Sequence, residues 1–573
     1  MQKSISVLIT IIMMCGSVLS GQNLIKPVTI HVDVKEKSSQ PLTPIWRFFG
    51  YDEANYTYMK DGRKLLSELA ALSPVPVFVR THNLLTTGDG KPALKWSSTN
   101  AYTEDGQGNP VYNWKLVDSI FDTYIKLKMK PIAQVGFMPE ALSTTPESDK
   151  YQTTPDGKKV YHYTGWNYPP KDYKKFAGLV NAWVTHCISR YGVKEVQTWY
   201  WEIWNEPDIS YWKGTTKEYL KLYDFSVDAI KRALPSAKVG GPETTNPSSK
   251  AAAAFLTTFL NHVVNDKSMA TGKAGIPLDF ITFHAKGDPK LIDRTVWMNM
   301  GVQMRNIDKG FEIIASYPTL KNLPIIIGES DPEGCAACSE DFFPQNAYRN
   351  GTMYSSYTAA AFAHTYDLAQ KHRVNLLGAV TWGFEFEDQP WFRGFRDLAT
   401  NGVDKPVLNI FRMFGMMRGN RVPVQSTSPY NYQLVSDSSV RGKEPDLNGF
   451  ATADNNVVYV LVWNYHDAND LSVSASPVTV SVSGLKTKQV SVRRFLVDET
   501  HSNSYTAWKN MQSPKQPDKV QYQKLEASGK LKESPGTTNL NTKNSVANIT
   551  FDLARQGVTL LEIRGADSKP ARK

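Results

Sequence analysis

Between about residues 46 and 420, short apolar runs alternate with longer stretches whose apolar positions recur every three or four residues. A short apolar run is a strand buried on both faces, and the three- and four-residue step is a helix with one apolar stripe; their regular alternation predicts a parallel sheet crossed by helices. The strand candidates are residues 46–51, 75–80, 130–137, 198–205, 237–241, 278–284, 324–329 and 376–382. Eight such strands suit closure, so the expected fold class is α/β, a (β/α)8 barrel over residues 46–420. Between the third and fourth strands, Phe176, Leu179, Val180, Trp183, Val184, Cys187 and Ile188 form one helical stripe, which makes Cys187 a packing residue rather than a nucleophile.

Beyond residue 420 the pattern shifts. Residues 457–463, 478–482, 490–497, 549–553 and 558–563 are β-branched, partly alternating and bounded by Gly, Asn and Ser. That predicts a C-terminal antiparallel β-sandwich accessory domain over residues 421–573. Residues 29–34 alternate in the same way, so the segment 22–45 is expected to supply an N-terminal strand to that sandwich. The polar, helix-compatible stretch 501–531 interrupts the pattern as an insertion, either a surface excursion or a flap over the active site. No internal repeat or low-complexity tract is present.

Composition narrows the function classes. Of 573 residues, 41% are hydrophobic and 21% charged, as in globular proteins. The formal net charge is +10, but Lys and Arg are spread along the chain; a solvated basic surface is expected and no nucleic-acid partner. Lys3, the apolar stretch 5–19 and the small residues Ser20 and Gly21 have the three parts of a signal peptide, residues 1–21, which implies a secreted or periplasmic protein. Cys15 raises lipoprotein anchoring, but Met13 and Met14 before it are bulky for a lipobox, and ordinary cleavage is the better reading. No later segment is long and apolar enough to span a bilayer. Cys335 and Cys338 form a Cys-x-x-Cys pair that an oxidising compartment would allow to close as a disulfide. The pair lies in a loop rather than opening a helix, which weighs against a redox role. Further ligands at metal-binding spacing are not evident, so neither a metal nor a cofactor is expected.

Candidate chemistry lies where strands end. The run from Trp199 to Pro207 is rich in aromatic and branched residues and stops on Glu206; the run from Leu323 stops on Glu329. Parallel barrels do their chemistry at the C-terminal ends of the strands. Two carboxylates there point to glycoside hydrolysis, in which one acid protonates the leaving oxygen and the other attacks or activates water. The plainer alternative for Glu206 is a strand-end carboxylate capping the next helix.

Trp204-Asn205-Glu206-Pro207, Phe78-Val79-Arg80-Thr81-His82-Asn83, Gly136-Phe137-Met138-Pro139, Ser189-Arg190-Tyr191-Gly192 and Lys238-Val239-Gly240-Gly241-Pro242 together resemble glycoside hydrolase family 39, a member of the retaining barrel clan. The resemblance covers most of the barrel. It implies that Glu206 is the general acid/base, Glu329 the nucleophile, and that Asn205 binds the sugar hydroxyl next to the anomeric carbon. His82 and His284 are expected to bind sugar hydroxyls, Trp382 to form an aromatic floor, and one of Glu385, Glu387 and Asp388, with Glu387 preferred, to contact a hydroxyl. For the two histidines the alternative is a buried core residue, and for Trp382 ordinary packing.

The family contains β-xylosidases and α-L-iduronidases, and the chain resembles both. Phe283-His284-Ala285-Lys286-Gly287 and Glu329-Ser330-Asp331-Pro332 look like the iduronidase branch, whose matching Lys approaches the substrate carboxylate. Lys286 is therefore expected either to bind an acidic sugar or to pair with Glu329, and the residues leave both readings open. The expected partner is an oligo- or polysaccharide, with a β-xyloside the leading substrate and an iduronide or other uronide, an arabinofuranoside or a galactoside the alternatives. A carbohydrate-binding pseudoenzyme, a transglycosidase and an adhesin are the other function classes; the presence of both acids argues against the first and the last.

Overall fold

A computed structural model describes residues 27–72, 75–145, 151–162, 164–455, 457–534 and 538–565. The signal-peptide reading of residues 1–21, with Cys15, falls outside the described residues.

Eight parallel strands close into a barrel in chain order: β1 Phe48–Tyr51, β2 Phe78–Thr81, β3 Lys130–Val135, β4 Tyr200–Ile203, β5 Lys238–Thr244, β6 Phe280–Lys286, β7 Ile325–Asp331 and β8 Leu376–Trp382. Each strand candidate is one of these eight, because near-continuous apolar runs are what a sheet buried on both faces requires. Helices cross between them, beginning with Lys60–Ala70 between β1 and β2. The predicted stripe lies on Tyr173–Tyr191, which starts at an Asp172 cap accepting from the amides of Lys174 and Lys175. Cys187 is a buried free thiol on that stripe, pushed up in pKa by burial and unsuited to act as a thiolate.

The C-terminal region holds two facing sheets whose valines, leucines and isoleucines form a second core, separate from that of the barrel. Val28–Asp33 lies inside the smaller sheet, between Val424–Ser426 and Ser476–Ser483. Its pairing with Ser476–Ser483 is parallel, unlike the antiparallel pairing expected throughout, because the two strands are far apart in the chain and no hairpin joins them. Asp446–Asp454, a long strand beside Val457–Tyr465, escaped the sequence reading: Asp-Leu-Asn-Gly-Phe-Ala-Thr-Ala-Asp carries weak β formers and only an incomplete alternation. The stretch 501–531 contains the helices Ser504–Asn510 and Lys519–Gly529, whose Tyr505, Trp508 and Tyr522 pack on Phe392 and Trp391 beyond β8.

Glu387 departs from its expected place. Its two carboxylate oxygens accept the backbone amides of Asp61 at 3.0 Å and Gly62 at 3.2 Å, at the start of Lys60–Ala70. The preceding residue, Met59, offers no side-chain cap, so Glu387 satisfies donors the helix leaves open and counters its positive end. It is thus a capping group from a distant segment, not a sugar ligand. Glu387→Ala should leave buried amides unpaired and lower unfolding free energy by about 1–3 kcal/mol, read by urea titration, with far-UV helicity retained in the absence of denaturant.

Candidate active site

β4 ends at Ile203, and the backbone then takes left-handed conformations at Trp204 (φ 72°) and Glu206 (φ 46°). Each costs about 1–3 kcal/mol and persists only where its surroundings hold it. Here the Trp204 indole donates to the Tyr211 carbonyl at 3.0 Å and packs edge-on against Phe137 and Trp212, while the Glu206 amide donates to the Glu243 carbonyl at 2.9 Å. The result turns the Glu206 carboxyl into a small cavity at the C-terminal ends of the strands.

Glu329, on β7, faces the same cavity. Lys286 pairs with one of its oxygens and Arg80 lies 3.3 Å from the other, with His82 and His284 each 3.9 Å away. Burial works to raise its pKa, but Lys286, His284, His82 and Arg80 together hold it well below the usual carboxylate range. A Cβ at Gly328, the preceding residue, would fall 1.9 Å from a Glu243 oxygen, so only glycine lets Glu243 lie across β7.

Arg80 ties the strands together. Fully buried, it donates to Glu202 at 2.6 Å and to the Asn205 side-chain oxygen at 2.9 Å, and stands 3.7 Å from Glu243. Burial pushes Glu202 well up while Glu243, against the same burial, is held at about 2, chiefly by Arg80. His284 spans two carboxylates, its Nδ1 3.0 Å from Glu206 and its Nε2 2.8 Å from Glu243. Burial disfavours its charge, yet Glu329, Glu243 and Glu206 raise its pKa to about 9. The fully buried ring thus stands between two carboxylates. Lys286 likewise is taken up by Glu329 and, at 3.1 Å, by Asp331.

The opposite wall is aromatic. His82 bonds Asp52 at 2.6 Å and lies 4.3 Å from the Trp382 ring, whose other neighbour is the Arg80 guanidinium at 5.0 Å. Gly50 makes room: a Cβ there would meet the Trp382 ring at 2.4 Å. Lys95 and Tyr211 complete the lining from the loops after β2 and β4. The disulfide Cys335–Cys338 fixes the 334–337 segment over the cavity mouth.

Of the residues singled out in the sequence, Glu206, Glu329, Asn205, His82 and Trp382 line the cavity, His284 and Lys286 stand behind the carboxylates, and Glu387 lies elsewhere. Asp52, Lys95, Tyr211, Glu202 and Glu243 were missed. The charged residue inside an apolar strand was the available signal for Glu202, as it was for Arg80; the loop residues carried none.

Glu206, His284 and Glu329 each present one atom within 4.8 Å of the others, a spacing that would also fit a metal ion. The donors are instead bonded to one another and to cations: Lys286 and Arg80 at Glu329 would repel a third positive charge. The same spacing brings one oxygen of Glu206 and one of Glu329 within 4.8 Å of each other, so both carboxyl groups face one small space.

Known proteins share this architecture. A β-xylosidase of Geobacillus stearothermophilus is 26% identical over 499 residues, covering 85% of this chain and 86% of the relative. An α-L-iduronidase of Mus musculus is 23% identical over 534 residues, covering 87% and 75% respectively. The crystal structure of a monomeric β-xylosidase from Caulobacter crescentus superposes with a TM-score of 0.70 at 22% identity, over 94% of this chain and 99% of that one. The family model for glycosyl hydrolases family 39 matches residues 28–544, and to that family the chain belongs.

Proposed function

We propose that this glycoside hydrolase retains anomeric configuration, with Glu206 as general acid/base and Glu329 as nucleophile, and acts on β-xylosides. The observation that carries the reading is that one oxygen of each carboxyl group lies within 4.8 Å of the other while their settings differ: Glu329 is held ionised by four cationic or imidazole groups, and the Glu206 side chain is hydrogen-bonded to a histidine. In the first step a Glu329 oxygen bonds to the anomeric carbon, the bond to the leaving oxygen breaks, and the Glu206 proton goes to that oxygen. In the second, Glu206 takes a proton from water as the water oxygen displaces Glu329. Asn205 supports both steps: Arg80 holds its side-chain oxygen, which directs its NH2 donors to the sugar hydroxyl beside the reacting carbon.

A neutral glycone is favoured over a uronide because the cations nearest the nucleophile are already matched. Lys286 is held by Glu329 and Asp331, and Arg396 lies 3.6 Å from Asp331 and 2.5 Å from Glu333. The similarity to two bacterial β-xylosidases at 26% identity points the same way. A secreted or periplasmic setting fits the Cys335–Cys338 disulfide, which a reducing cytosol would not maintain.

A screen of aryl xyloside, arabinofuranoside, galactoside and iduronide tests the substrate; preference for the iduronide overturns the neutral glycone. Glu206→Ala should lower kcat about 10²–10⁴-fold on poor leaving groups, with azide restoring turnover of activated ones as the β-glycosyl azide. A second expectation concerns pH. The His284 pKa of about 9 lies above the ordinary 6.5, so the stability its charge contributes is complete below about 6.5 and is lost as pH rises through about 9. Urea midpoints should fall across that interval, and His284→Gln should flatten the fall; an unchanged slope would show that His284 is neutral in the folded protein.

A further inference from the structure

Lys95 is a cation of the catalytic cavity that the two-step reaction leaves unused. It lies in the loop after β2, half-buried, with its ammonium 5.6 Å from the centre of the Trp96 ring and 5.8 Å from that of Tyr211. Arg80 and Lys286 are each taken up by carboxylates, Glu202 and Glu329 for the first, Glu329 and Asp331 for the second. Among the described residues no carboxylate lies within ion-pair distance of the Lys95 ammonium. It nevertheless stays charged, because Tyr211, and after it Asp52 and Glu206, raise its pKa against burial.

The backbone beneath that side chain is firmly held. Lys95 is left-handed, with φ 67°, a conformation that a residue with a Cβ keeps only where its surroundings enforce it. Its amide donates to the carboxylate of buried Glu53 at 2.6 Å. Three residues on, the chain is pinned again: the Asn55 side chain exchanges two hydrogen bonds with the Ser98 backbone, at 3.0 and 3.1 Å, and the Thr99 hydroxyl donates to the Leu84 carbonyl at 2.7 Å. None of these bonds uses the Lys95 side chain. The loop therefore delivers the ammonium to the cavity without depending on it for its own shape.

Asp52, directly after β1, lines the same cavity. One of its oxygens bonds His82 at 2.6 Å and the other stands 3.4 Å from the Trp382 indole nitrogen, which leaves lone pairs for a further donor. A sugar hydroxyl is donor and acceptor at once, so a carboxylate and an ammonium facing one space can satisfy both functions with charge-assisted bonds. Asn205 is directed at the hydroxyl beside the reacting carbon, and Glu387, expected at another, is engaged by the start of a helix. The hydroxyls farther round the ring need other partners, and the loops after β1 and β2 carry them.

We propose that Lys95 and Asp52 together hold a glycone hydroxyl other than the one at Asn205, Lys95 donating and Asp52 accepting, so that Lys95 selects sugars with a hydroxyl at that ring position. The inference rests on the hydrolase reading above and names the groups that read the glycone.

The test compares wild type and Lys95→Met on an aryl β-xyloside and on its 3-deoxy and 4-deoxy analogues. Met keeps an unbranched side chain and the amide bonded to Glu53, and a thermal melt checks that folding is retained; Lys95→Ala, read by the same criterion, takes its place if Met does not fold. On the parent xyloside the variant's kcat/KM should fall about tenfold or more. On at least one deoxy analogue the gap between variant and wild type should close to about threefold or less, because that substrate lacks the hydroxyl Lys95 holds. A smaller fall on the parent, or a wider gap on both analogues, overturns the assignment: Lys95 then acts without touching either hydroxyl. A wild type inactive on xylosides overturns the xylosidase reading instead, and Lys95 is judged by the same criterion on the monodeoxy analogues of whichever glycone the aryl screen identifies.

Discussion

A guanidinium with no contact with water organises the catalytic end of this barrel. An isolated charge of that kind cannot be buried, because removing it from water costs far more than a fold can supply, and it survives only if fully matched. Arg80 is matched by Glu202, Glu243 and Glu329 and by the side-chain oxygen of Asn205, so one side chain from β2 sets the positions of groups on β4, β5 and β7. Three acids around one arginine would be too much negative charge. Burial pushes Glu202 up in pKa, while His284 lies 2.8 Å from Glu243 and Lys286 pairs with Glu329.

The arrangement gives the two reactive carboxyl groups unequal surroundings from one set of neighbours. Glu329 sits on the side where Arg80 and Lys286 reach, and stays ionised. The Glu206 side chain meets the network at His284, just past a strand whose backbone turns left-handed at Trp204 and Glu206. Rigid supports for that turn, the Trp204 indole bond and the aromatic packing against Phe137 and Trp212, place the carboxyl without charging it further. One carboxylate is thereby surrounded by cations while the other is positioned by backbone and aromatic contacts, so their surroundings differ before any substrate arrives.

Much of this was legible in the sequence, and what was not had physical reasons. Strands buried on both faces write themselves as apolar runs, so all eight appeared, and Glu206 and Glu329 were visible because an acid that closes such a run has little else to do. Arg80 could be seen but not interpreted: its partners Glu202 and Glu329 are 122 and 249 residues away. The same distance problem misled the reading of Glu387, whose real partner is the start of a helix more than 300 residues earlier in the chain. Loop residues such as Asp52, Lys95 and Tyr211 obey no periodicity at all, and only closure of the barrel brings them together.

The lodging of Val28–Asp33 between Val424–Ser426 and Ser476–Ser483 bears on biosynthesis. This strand precedes the barrel in the chain while both of its sheet neighbours follow the barrel, so it must stay unpaired until the barrel segment has been made. The sandwich consequently acts as a clasp joining segments that lie on either side of the barrel in the chain. A fragment beginning at residue 421 would lack a central strand of its own sheet, and fusion partners are best attached upstream of residue 28 rather than in place of it.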